Sequence, residues 1–153
     1  MKKLIVSFFC FLTSLAAYAD VTIDNITYEL DDTNKEAKVK TALNGVAFTD
    51  NKVTIPETIT NEGVTYTVTG VEAFSNTGGK MEMVLPKTVT YIKAVKSGIV
   101  TLNVPASVTS ITDMHESADL QNFKVDASNT TYCDVDGVLF SKDKKTLDRR
   151  AHV

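Results

Sequence analysis

The sequence predicts a mainly β fold: a solenoid of short strands stacked coil on coil, with little helix and a β-hairpin covering its N-terminal end. Three observations carry this. Residues 83–92 and 102–111 repeat one pattern: apolar residues, Pro, a short polar pair, Val, two residues and Ile (Pro86, Val89, Ile92; Pro105, Val108, Ile111). An earlier copy, V-T-I-P-E-T-I at 53–59, carries Pro56 and Ile59, so all three prolines of the chain fall in the motif. Such self-similarity is the signature of stacked-repeat architectures. Elsewhere apolar residues alternate with polar ones, the period of a half-buried strand, and no segment keeps a long 3.6-residue period.

Residues 1–19, MKKLIVSFFCFLTSLAAYA, have two lysines, an apolar run and Ala17-Tyr18-Ala19. This is the layout of a secretory signal peptide, with cleavage expected before Asp20. The run is shorter than the ~20 residues of a membrane span. The chain is therefore expected to be secreted or held at the cell surface, with no transmembrane segment after cleavage. Residues 20–153 suit one domain or a short repeat array. Without Lys2 and Lys3 the formal charge of −3 becomes −5. Nucleic acid is a poor partner for such a chain, because phosphate contacts need clustered Lys and Arg. The one basic cluster, Lys142, Lys144, Lys145, Arg149 and Arg150, reads as a solvated turn and tail. Loss of Cys10 with the leader leaves Cys133 alone, so packing rather than a disulfide must hold the fold. Beside Tyr132 and Val135, Cys133 is expected to be a small buried hydrophobe.

Residues 20–52 read as the hairpin cap. Ile26, Tyr28 and Leu30 alternate with polar residues, Asp31-Asp32-Thr33-Asn34 makes a turn, and Ala37, Val39, Thr41 and Leu43 alternate again. Asn44-Gly45 marks a second turn. A stacked array needs its first unit covered, which a polar-faced hairpin would do. The repeat region is expected over 53–147. Gly63–Gly70 alternates and is rich in β-branched residues, so it reads as a strand. Aligned on proline, Met83-Val84-Leu85-Pro86 stands above Leu102-Asn103-Val104-Pro105, a step of 19, and Phe123-Lys124-Val125-Asp126 lies 21 further on. Short strands with this alternation point Met83/Leu85, Leu102/Val104 and Phe123/Val125 inward. They point Glu82/Val84, Thr101/Asn103 and Asn122/Lys124 outward on one face. Residues 127–132 read as a loop, Asp134–Gly137 as a turn, Val138–Phe140 as a strand, and Thr146-Leu147 as the start of a return strand. Residues 148–153 read as a tail with nothing resembling a closing cap.

The repeats I-P-x-[ST]-[VI]-x-x-I followed by Ala73-Phe74, and V-D-A-S-N-T-T-Y-C-D-V-D-G-V-L-F-S-K-D-K-K-T-L at 125–147, closely resemble BspA-like leucine-rich repeat proteins. These are surface and secreted proteins of Bacteroides-type bacteria. The resemblance covers 53–147, and the hairpin at 26–43 is similar to the leading segment of such proteins. Later copies depart from it, with Ala94-Val95 and Asp113-Met114 where the family has Ala-Phe. The resemblance implies a curved leucine-rich-repeat solenoid, protein binding including adhesion to host matrix proteins, and no catalytic residues or cofactors.

The residues themselves offer little chemistry. Asp113-Met114-His115-Glu116 holds one His, and H-E-x-x-H fails at Asp119, so a polar loop is the better reading. Asp134-Val135-Asp136-Gly137 is similar to a calcium loop, but Tyr132 stands at its first ligand position, and a plain turn explains it better. The sequons Asn25-Ile26-Thr27 and Asn129-Thr130-Thr131 read as chance in a bacterial-type protein. The leading expectation is a non-catalytic binding module that offers Glu82, Thr101, Asn103, Asn122 and Lys124 to a protein ligand, either host extracellular matrix or another surface protein. Two alternatives stand beside it: a truncated piece or cap of a longer repeat protein without activity of its own, and a thiol-dependent hydrolase using Cys133.

Overall fold

The computed structural model describes residues 18–42, 45–114, 117–145 and 147–149. Residues 1–17, Leu43, Asn44, His115, Glu116, Thr146 and residues 150–153 lie outside them. The fold is mainly β, as the repeats predict, and among the described residues helix is limited to short 3-10 turns such as Thr49–Asn51.

The N-terminal segment forms three strands rather than two. Strand β1 (Tyr18–Ile23) pairs antiparallel with β2 (Ile26–Asp31), and β2 with β3 (Glu36–Ala42). Asp24 and Asn25 make the first turn with φ of 49° and 65°, the conformation that tight hairpins need and that Asp and Asn tolerate. The β2–β3 turn is held by Asp31, whose carboxylate accepts the N–H groups of Thr33 and Asn34 at 2.9 and 3.0 Å. Alternation predicts Thr41 inward. Instead the register steps from Thr27↔Thr41 to Tyr28↔Val39, a bulge at Lys40, and Ala42 is the buried residue. One extra residue is enough to exchange the two faces of a strand.

The first repeat also departs from the simple pattern. After β4 (Lys52–Thr54), strands β5 (Thr58–Asn61) and β6 (Val64–Val71) form an antiparallel hairpin. Ile59 is therefore a hairpin residue, and the stacking positions of Val89 and Ile92 are taken in the first coil by Val68 and Val71. The register shows this directly, with Gly70↔Tyr91 and Val71↔Ile92. From there the coils follow in step. Strands β7 (Met81–Val84), β8 (Tyr91–Ile92), β9 (Ile99–Val104), β10 (Ser110–Ile111) and β11 (Asn122–Val125) alternate between two sheets. One sheet has seven strands, with β1-β2-β3-β6-β8-β10 in order and β5 on β6; the other is parallel, in the order β11-β9-β7-β4. β3 joins β6 in parallel, so the N-terminal hairpin extends the first sheet.

The core lies between these sheets and is built in columns. Val53, Met83, Leu102 and Phe123 stand in register across the parallel sheet, each no more than 1% exposed. Phe74, Val95 and Met114 are buried at matching positions of successive coils, so Val95 and Met114 replace Phe without opening the core. Each buried side chain of this size contributes about 1.5–3 kcal/mol. Thr69, Thr90 and Thr109 make a backbone ladder, with Thr90 N–H on Thr69 O and Thr109 N–H on Thr90 O, both 2.9 Å. Gly70 is fixed by a close approach: a Cβ there would meet the Tyr91 ring at 2.2 Å. The bare backbone lets Tyr91 lie across it and donate to Glu72 at 2.6 Å.

After β11 come β12 (Tyr132–Val135), β13 (Val138–Ser141) and β14 (Leu147–Arg149), a three-stranded antiparallel sheet. The turn expected at 134–137 is confined to Asp136 and Gly137, at φ 51° and 80°, because Asp134 and Val135 belong to β12. Strand β12 itself is not expected from the sequence, which reads 127–132 as a loop and 134–137 as a turn; it starts at Tyr132, where Asn129 ends the loop. Its Oδ1 accepts the N–H groups of Thr131 and Tyr132, both at 2.8 Å.

Candidate binding face

The parallel sheet sets two outward rows. Lys52, Glu82, Thr101 and Asn122 are register partners, as are Thr54, Val84, Asn103 and Lys124. All five residues singled out by sequence therefore stand on one side of one sheet, while their inward neighbours Met83, Leu102 and Phe123 anchor the strands. Parallel strands lie ~4.8 Å apart, so side chains of adjacent coils touch. Glu82 Oε1 accepts Asn103 Nδ2 at 2.7 Å and Lys124 Nζ at 3.1 Å. Asn103 Nδ2 also donates to Met83 O at 3.1 Å. The Asn103 amide and the Lys124 ammonium hold the Glu82 carboxyl below the usual carboxylate range, with Lys52 adding a smaller push the same way.

Three of the five residues thus form a single network. Thr101 lies beside it, half-buried. Asn122 is exposed, but its carboxamide leans against the β12–β13 turn, where a Cβ on Gly137 would come within 2.5 Å of its Oδ1. Sequence reasoning missed Lys52 and Thr54. The frame Lys52-Val53-Thr54-Ile55-Pro56 repeats Glu82-Met83-Val84-Leu85-Pro86, so extending the proline alignment one coil upstream finds them. It also missed an open pocket of about 330 Å³ at the C-terminal ends of β9 and β11. Val104, Pro105 and Val125 line it together with the polar Asn103, Lys124 and Asp126.

The alternative chemistry finds little support. Cys133 is half-buried, not the buried hydrophobe the sequence suggests: it lies on β12, the outer strand of the three-stranded sheet, opposite Phe140 of β13. Its Sγ donates to Ser141 O at 3.4 Å. Both histidines lie outside the described residues. Asp134 Oδ1 accepts Val125 N–H at 2.8 Å, so this carboxylate joins two sheets. Among the described residues no group of three or more His, Cys, Asp or Glu is placed to hold a metal, and no helix is long and apolar enough to cross a membrane.

No protein-family model matches the chain, and neither does any curated protein. Among solved structures it is similar to a leucine-rich cell surface protein of Faecalibacterium prausnitzii, at 12% identity and a TM-score of 0.35, over 82% of this chain and 59% of that one. It is also similar to a leucine-rich repeat protein of Eubacterium ventriosum, at 14% identity and 0.38, over 85% of this chain and 50% of that one. A third is the pneumococcal vaccine antigen PcpA, at 14% and 0.32, over 87% and 56%. The chain spans between half and three-fifths of the length of these proteins. The repeat fold itself rests on the chain's own strand register.

Proposed function

We propose that this protein is an exported, non-catalytic binding module of the BspA-like leucine-rich repeat type, using the outward face of its parallel sheet to hold a protein ligand. The observation that carries the reading is the network joining Glu82 of one outward row to Asn103 and Lys124 of the other, standing with Thr54, Val84 and Thr101 on one face. Repeat folds use such extended surfaces for binding because successive coils offer equivalent positions side by side. The ligand class is an extracellular-matrix or neighbouring surface protein, in keeping with the export signal at the N-terminus. The test is a panel of immobilised matrix proteins probed with the wild type and with Glu82→Lys/Lys124→Glu. Both residues are partly exposed, so the variant should melt like the wild type while losing the ligand. Undiminished binding by the charge-swapped face would refute this surface as the site. Export is tested separately: protein recovered outside the cell should begin at Asp20.

A further inference from the structure

We infer that the bond between the export leader and the mature chain closes to protease once the protein folds, so processing at Ala19–Asp20 must come before β1 docks. The inference rests on residues 1–19 being a leader and names the step of folding that controls its removal. The fold starts upstream of the bond to be cut. β1 begins at Tyr18 and carries both residues of that bond in its ladder with β2, Ala19 opposite Leu30 and Asp20 opposite Glu29. Hydrolysis adds a water across this amide and leaves a carboxylate on Ala19 and an ammonium on Asp20. To reach it, a peptidase must hold the flanking residues in its cleft as free, extended chain. Nicking therefore concentrates at termini and exposed loop tips, and a bond inside a paired strand is reached only when that strand opens.

Backbone, not side chains, provides the shield. Ala19 and Asp20 are both exposed, yet their peptide groups belong to the ladder. Contacts beyond the bond keep the strand down. The Asp20 carboxylate accepts Lys40 Nζ of β3 at 3.0 and 3.1 Å, across β2. The Thr22 and Thr27 hydroxyls are 3.0 Å apart, and Val21 and Ile23 pack half-buried against the core. All of these survive the cut, which removes only the pairs Tyr18↔Asp31 and Ala19↔Leu30. The mature strand thus keeps its place, while in a folded precursor the same contacts hold the site shut. Because β1 is an edge strand, it can open while the rest of the sheet stays folded. Cleavage of the folded chain then follows the open fraction. Folding and processing therefore compete, and a chain that folds first keeps its leader.

The experiment offers purified bacterial signal peptidase, in detergent, the folded full chain and a peptide of residues 1–25 that lacks β2, with products read by mass spectrometry. A second full chain carries Thr22→Cys/Thr27→Cys with Cys10→Ala and Cys133→Ala. Thr22 and Thr27 are register partners, so a disulfide between the new cysteines can pin β1 to β2. The peptide should be cut between Ala19 and Asp20. The folded full chain should be cut about tenfold or more slowly. The oxidised, pinned chain should be slowest, and reduction should restore the rate of the folded chain. A folded chain cut as fast as the peptide would overturn the inference, and so would a pinned chain indifferent to reduction. A peptide left uncut at Ala19–Asp20 would instead overturn the leader reading, and the inference with it.

Discussion

The two ends of the coil stack are closed by different means. At the N-terminal end, backbone meets backbone: β3 lies parallel to β6 from Glu36↔Thr67 to Val39↔Val71, and β1 and β2 extend the sheet beyond it. Beyond β10 and β11, the exposed backbone groups are met mostly by side chains. Asn129 Nδ2 donates to Pro105 O and Val108 O, both at 2.9 Å. The Tyr132 hydroxyl accepts Ile111 N–H at 3.0 Å, Asp134 accepts Val125 N–H, and Gly137 O accepts Phe123 N–H at 2.9 Å. A strand closes an edge with groups that every residue except proline carries. A side-chain closure depends on a few particular residues, so the second end should be the more fragile to point changes.

Substitutions at each end test that difference. The largest effect is expected for Asn129→Ala. Asn129 is fully buried and makes four hydrogen bonds, so its loss removes the donor to Val108 O and the acceptor of two N–H groups, while Pro105 O keeps the Val108 N–H. At ~1–3 kcal/mol per orphaned buried group, partly relieved by water, the cost should be roughly 3 kcal/mol or more in a denaturant titration. Val39→Ala, in β3 at the other end, removes two buried methyl groups but no hydrogen bond. About 2 kcal/mol is expected there. Tyr132→Phe deletes only the acceptor for Ile111 N–H and should cost about 1 kcal/mol. If Val39→Ala proves costlier than Asn129→Ala, the contrast between the ends is wrong.

Titration sharpens the comparison further. Burial pushes the Tyr28 hydroxyl of β2 from 10.0 up to about 12, with Asp24 adding to the effect. Its contribution is full below pH 10 and is lost as pH rises from 10 to about 12, and Tyr91 of β8, pushed up by burial and by Glu72, adds to the loss of stability in alkali. On the parallel sheet the sign reverses. Glu82, held low by Asn103 and Lys124, contributes above the ordinary carboxylate range and is lost as pH falls through its lowered value. Glu82→Gln should flatten the acid limb of the stability profile slightly and leave the alkaline limb unchanged. The effect is small because the group is solvent-screened.

Much of this was legible in the sequence. Aligning the strands on Pro86 and Pro105 gives the inward column of Met83, Leu102 and Phe123 and the outward column beside it, because alternation within a strand of fixed register leaves no other choice. Harder to read were the places where one residue breaks the count. The bulge at Lys40 turns Ala42 in place of Thr41, and nothing in the local composition marks it. The hairpin of β5 and β6 gives Ile59 a motif position it does not hold. Asn129 resembles a loop residue and a sequon, yet it fills the position that Val108 fills one coil earlier. Its role depends on carbonyls more than twenty residues away. The pocket was invisible for the same reason, since it joins residues of different coils.

The most direct measurement is residue-resolved amide hydrogen exchange on the full chain. The N–H groups of Ile111, Phe123 and Val125 lie on the side of β10 and β11 away from the stack, and each has a named acceptor. A closed end predicts slow exchange at all three, approaching that of Leu102 in the middle of the parallel sheet, with Tyr132→Phe releasing Ile111 alone. Fast exchange at Phe123 and Val125, as at a free sheet edge, would contradict the pairing of β10 and β11 with the segment that follows them.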